Sequence, residues 1–163
     1  MPSTYEPIST TTISGTSTNS ITFNPVPQTY TDLVLVIQGT STASNTDFAF
    51  RFNGDTGANY SRLYLYATGS AVVSGLNANS TSMGLPNLDT NQTVSVSHIF
   101  NYTNANIYKT GVGRTSNASS YGVSAIVGTW RSNAAITSFT VLTPGAQFFG
   151  NGTTLSLYGI KAA

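Results

Sequence analysis

The sequence predicts an all-β chain folded as a two-sheet antiparallel β-sandwich, jelly-roll-like, of about eight to ten strands with an extended N-terminal arm. Three observations predict it. Apolar and polar residues alternate wherever a period is legible, runs rich in β-branched and aromatic residues are separated by Gly/Asn/Ser/Thr clusters, and no window carries a helical period.

Taken in order, the first element is the arm, residues 1–12. Pro2 and Pro7 fix extended backbone there, and the hydroxyl-rich stretch that follows has no core-forming period. Such an arm is suited to lie along a neighbouring subunit and add a strand to an exposed sheet edge. Pro2, Tyr5, Glu6, Pro7 and Ile8 are therefore the candidate partner-interface residues. Residues 13–163 form the single β-sandwich domain. Within it, strands are expected over residues 21–23, 32–38, 48–52, 60–66, 94–99, 107–112, 121–130, 136–142 and 153–160. Phe48, Phe50 and Phe52 share one face of their strand, and Val94, Val96 and His98 share one face of theirs. Asn53-Gly54 reads as a tight hairpin turn, because both residues tolerate positive φ. Residues 70–91, rich in Gly, Ser and Asn, are expected to be a long loop.

Composition then narrows the function. Only 7% of the residues are charged, so the surface consists mainly of neutral polar groups that give up water readily when buried against a partner. The six Lys and Arg residues are scattered and the net charge is +1, which gives no phosphate-tracking patch and no nucleic-acid partner. No cysteine is present, so neither a disulfide framework nor a thiolate metal site is available. The N-terminus lacks the basic and apolar regions of a secretory signal. The longest apolar run, residues 33–37, is too short to span a bilayer, and a soluble protein without a membrane partner is expected.

Chemistry has little to work with. The acids Glu6, Asp32, Asp47, Asp55 and Asp89 are dispersed, and the single histidine, His98, sits in an alternating strand as a satisfied, partly buried side chain. No nucleophile elbow, phosphate loop or zinc spacing occurs, so no catalytic residue, metal or cofactor is expected. The tyrosines offer another chemistry: Tyr60, Tyr64 and Tyr66, two apart on one strand, are candidates for a sugar-stacking platform.

Four segments carry a resemblance: Ile21-Thr22-Phe23; Pro27-Gln28-Thr29-Tyr30-Thr31-Asp32-Leu33-Val34-Leu35; Arg51-Phe52-Asn53-Gly54-Asp55-Thr56-Gly57-Ala58-Asn59-Tyr60; and Leu157-Tyr158-Gly159-Ile160-Lys161. Together, over about residues 13–161, the chain resembles a group of tailed-bacteriophage virion structural proteins. These are small β-sandwich domains of capsid decoration (cement) proteins and tail-fibre tips, several from phages of cyanobacteria. The resemblance implies a virion component without an active site, in which the shared glycines and aromatics are structural and Arg51 ties down a neighbouring loop or carboxylate. It further implies a location on the outer capsid surface, with the major capsid protein and other copies of the chain, as a homotrimer, for partners. The Met1 start and the lack of a preceding fibrous repeat favour decoration. The alternative it leaves is a tail-fibre or receptor-binding module that recognises a host surface glycan through the tyrosines.

Overall fold

A computed structural model describes residues 4–44, 46–67, 69–117 and 122–161. The all-β expectation holds: the described residues form strands and turns, with no helix and hence none long and apolar enough to cross a membrane. The strands are β1 (Tyr5–Thr12), β2 (Ser20–Phe23), β3 (Asp32–Gly39), β4 (Thr46–Phe52), β5 (Tyr60–Ala67), β6 (Val72–Ser80), β7 (Met83–Leu88), β8 (Thr93–Phe100), β9 (Lys109–Asn117), β10 (Gly122–Trp130), β11 (Phe139–Leu142) and β12 (Thr154–Ile160). An eight-stranded sheet runs β1-β12-β3-β8-β9-β10-β5-β6, and a four-stranded sheet runs β2-β11-β4-β7. Every pairing is antiparallel.

The core lies between the sheets and is mainly aromatic. Phe23, Phe50, Phe52, Phe139, Tyr60 and Trp130 are all buried. Phe139 is the hub: its ring meets Phe50 edge-on at 4.5 Å, Phe52 at 5.2 Å and Phe23 at 6.4 Å. Leu33, Leu35, Ile37, Leu155 and Leu157 line the facing side of β3 and β12. This follows from period-two alternation, which turns one side of each strand inward.

Three expectations need correction. The described residues form twelve strands rather than about eight to ten, because residues 70–91 hold β6 and β7 instead of a long loop and the arm forms β1. β6 and β7 are sheet-edge strands, and β7 carries Pro86 where one side of the ladder has no partner to lose. Asn53 and Gly54 do adopt positive φ, 53° and 68°, and Asp55 N–H closes the turn on the Phe52 carbonyl at 2.9 Å. The turn is not a hairpin, however: it carries the chain from β4 in the smaller sheet to β5 in the larger. A Cβ on Gly54 would meet nothing within 4 Å, so backbone strain alone decides the effect of substitution. Gly54→Val should cost about 1–2 kcal/mol in chemical unfolding, and an unchanged midpoint would contradict the turn geometry.

The N-terminal arm is the third. Its described part is extended, as expected, but lies on its own chain as β1, an edge strand paired with β12 from Tyr5↔Ile160 to Thr12↔Thr154. The nearest unpaired edge was the molecule's own, and intramolecular pairing avoids the entropy cost of association.

Candidate functional site

The predicted interface residues divide by what they touch. Pro2 lies outside the described residues. Tyr5 and Pro7 are exposed. Glu6 and Ile8 are used within the chain: Lys161 Nζ donates to Glu6 Oε1 at 2.9 Å, the Tyr30 hydroxyl donates to Oε2 at 3.2 Å, and Ile8 packs on the core. The Lys161 hydrogen bond holds the Glu6 carboxyl below its ordinary pKa. Deleting residues 1–12 should therefore lower unfolding free energy by about 2–5 kcal/mol, through lost ladder bonds and the lost Ile8 contact. Denaturant titration checks this, and a truncated form as stable as the full chain would show that β1 is only a loose tail.

The predicted tyrosine platform is split. Tyr60 is wholly buried and stacks on Trp130 (6.2 Å, 14° between planes). Its hydroxyl accepts from Phe52 N–H at 3.1 Å and donates to the Asp55 carbonyl at 3.2 Å, and burial pushes its pKa up to about 12. It is a core residue and is corrected as a ligand candidate. Tyr64 and Tyr66 lie on the same side of β5, are half-buried, and stack on one another at 5.9 Å and 18°. Tyr64 lies over Gly75 of β6, where a Cβ would come within 2.3 Å of its hydroxyl oxygen. The Arg62 guanidinium stands 5.5 Å from the Tyr64 ring centre and 3.6 Å from Asp47 Oδ2. With its amide oxygen turned towards Arg62, Asn77 accepts from that guanidinium at 3.2 Å. Of these groups Asp47, Arg62 and Asn77, and not the two tyrosines, line an open groove of about 390 Å³, together with Asn79, Gly84 and neighbouring residues.

A second unassigned surface is the outer side of the eight-stranded sheet. One cross-strand row runs Tyr158–Val34–His98–Val112–Val127–Leu63–Leu76, from β12 to β6. The next row runs Val36–Val96–Arg114–Ala125–Leu65. Val94 and Val123 lie beyond it, flanking Ser116. Many of these side chains are bare: Leu76 is 68% exposed, Val123 62% and Leu63 54%. Their strands are small on the inside instead. Gly111, Gly113, Ser95 and Ser97 are buried on that side. A Cβ on Gly128 would meet Met83 Cγ at 2.4 Å, and one on Gly111 would meet Ile99 Cδ1 at 2.7 Å. Sequence reasoning found the alternation but missed this face. The available signal was the pairing of small residues with aliphatic ones along β8, β9 and β10.

The acids are taken up singly. Asp32 Oδ2 lies 3.0 Å from His98 Nε2, and its Oδ1 accepts from Asn101 N–H at 2.7 Å. Asp55 accepts from Trp130 Nε1 at 2.7 Å, Asn59 Nδ2 at 3.0 Å and Gly57 N–H at 2.8 Å, and the Trp130 bond leads in lowering its pKa. Arg51 Nε donates to the Thr81 carbonyl at 3.1 Å, tying down the β6–β7 turn. Lys109 is fully buried, and its Nζ donates to the carbonyls of Asn104 (2.6 Å), Ile107 (2.7 Å) and Asn133 (3.2 Å). Burial lowers its pKa, and the contacts pin two loops together. Among the described residues, no three His, Cys, Asp or Glu side chains converge as metal ligands would.

No protein-family model and no curated protein matches the chain. Among solved structures, a Shewanella oneidensis protein of unknown function is 12% identical at a TM-score of 0.29, over 98% of this chain and 77% of its own. A galectin from Caenorhabditis elegans is 11% identical at 0.26, over 95% and 91%. An alginate lyase mutant solved with alginate tetrasaccharide is 8% identical at 0.29, over 82% and 72%. At TM-scores this low none of the three bears on function, and none is a bacteriophage structural protein.

Proposed function

We propose that this chain is a structural component of a bacteriophage virion, a capsid decoration protein that works by burying surface against protein neighbours and not by catalysis. One observation carries the reading: the outer side of the eight-stranded sheet is aliphatic in successive rows, with exposed apolar side chains on β8, β9, β10, β5 and β6. Exposed apolar faces of this extent mark interaction surfaces. The low-charge remainder of the surface, cheap to desolvate, supports it, as does the resemblance of the 51–60 segment, whose Arg51, Asp55 and Tyr60 are engaged in holding the fold. The test is co-sedimentation with capsid shells that lack the protein. Saturable binding that raises the shell's melting temperature is expected, and shells that neither bind it nor gain stability would overturn the reading.

A second reading has its own observation. Tyr64 and Tyr66 stack on one another, and Arg62, 5.5 Å from the Tyr64 ring centre, lines an adjacent open groove; the rings suit an apolar sugar face whose hydroxyls would reach Asp47 and Asn77 in that groove. Under it the chain is a receptor-binding module for a host glycan. Tyr64→Ala should then reduce adherence to host cells while leaving shell binding intact, and equal adherence by wild type and variant would remove it.

A further inference from the structure

We infer that the occupant of the outer sheet face is a second copy of this chain, packed face to face across a two-fold axis. The inference rests on the reading of that face as an assembly surface and names its partner.

Extent is the first argument. Eight strands at about 4.8 Å spacing, each about 25 Å long, present roughly 900 Å². A stable interface needs about 800 Å² from each partner. The face alone is thus large enough for a dimer without help from loops.

Charge is the second. Among the described residues, the charged groups within the paired rows are Asp32's neighbour His98 and the exposed Arg114, with Asp32 already bonded to His98 and Arg131 tied to Ser61 Oγ at the end of β5. Arg114 lies in the row beyond His98, and Asp32 lies on the other side of His98 on β3. A two-fold axis passing between them through His98 sets Arg114 of each copy against Asp32 of the other, so self-contact creates no like-charge pair and makes two opposite ones.

Symmetry is the third. A single patch meets itself only across a two-fold axis, whereas a three-fold ring needs two different patches. Two identical twisted sheets also stack naturally at about 30° with their side chains interdigitated. A dimer, not the homotrimer implied by the family resemblance, follows from this face.

The experiment is light-scattering mass of the full chain across a concentration series, with three variants followed by circular dichroism and thermal melting. Wild type should run at twice the 17.1-kDa chain mass. Val112→Glu and Val127→Glu, at the centre of the face, should each weaken self-association at least about 100-fold without loss of strand signal. Thr22→Glu, on the exposed outer side of the four-stranded sheet, should remain dimeric. A wild-type monomer at all concentrations, a trimer, or dimers unaffected by both central charges would overturn the inference. Shell binding separates it from the functional reading. A dimer that ignores shells keeps the interface and sinks the decoration role, whereas a monomer whose shell binding is abolished by Val127→Glu keeps that role and gives the face to the capsid instead.

Discussion

Asp55→Ala should lower the unfolding free energy by about 2–4 kcal/mol at neutral pH, because one carboxylate satisfies three donors from three places in the chain. Trp130 Nε1 and Asn59 Nδ2 both point at Oδ2, and Gly57 N–H points at Oδ1. Removing the acceptor leaves the indole N–H of a buried tryptophan without a partner. Asp55→Asn should be nearly as harmful, since an amide group replaces one acceptor with a donor that faces donors. The carboxylate's pKa is depressed from the ordinary 3.8, chiefly by the Trp130 bond. Its stabilisation is therefore complete at neutral pH and is lost as pH falls below about 4 through the lowered folded value. Urea unfolding midpoints measured from pH 7 to pH 2.5 should fall in the wild type, and the Asp55→Asn curve should be flatter over the same acid range. Parallel curves would mean that Asp55 is not the group responsible.

Phe139→Ala should be costlier still, at about 3–5 kcal/mol. The side chain is fully buried and touches the rings of Phe23, Phe50 and Phe52, so its removal leaves a cavity that neighbours from two different strands cannot close. For a chain of this size that corresponds to a fall of about 10 °C in melting temperature, within reach of calorimetry. The substituted residue lies on the smaller sheet, away from the outer aliphatic face, so self-association of the still-folded fraction should be unchanged. A fall below about 1 kcal/mol would show a core that repacks freely.

What the sequence made legible depended on which physical rule each residue obeys. The strands built from β-branched and aromatic runs, such as residues 32–38 and 60–66, were readable because those side chains suit a pleated surface. β6 and β7 were not, because their composition answers to neighbours. Gly75 is small where Tyr64 lies across it, and Gly84 is small where a Cβ would come within 2.2 Å of Arg62 Nη1. Both read locally as turn residues. Alternation located two faces on β8 but not which one is inside: Ser95 and Ser97 are buried, while the valines face out. The tyrosines show the same limit. Tyr60, Tyr64 and Tyr66 share one side of β5, as period two requires, yet Tyr60 is buried against Trp130 and the other two are only half-buried. How far one sheet extends over another is a property of the whole topology.

The pairing of β1 with β12 also has a mechanical consequence. Tyr5 stands opposite Ile160, so the strands' outer ends leave the molecule from one corner. A pull applied between those ends parts the ladder rung by rung, like a zip, and meets only one pair of hydrogen bonds at a time. A load pressed onto the broad sheet is instead shared by eight strands and the aromatic layer beneath them. The molecule is thus soft to tension at its ends and stiff to compression across its face.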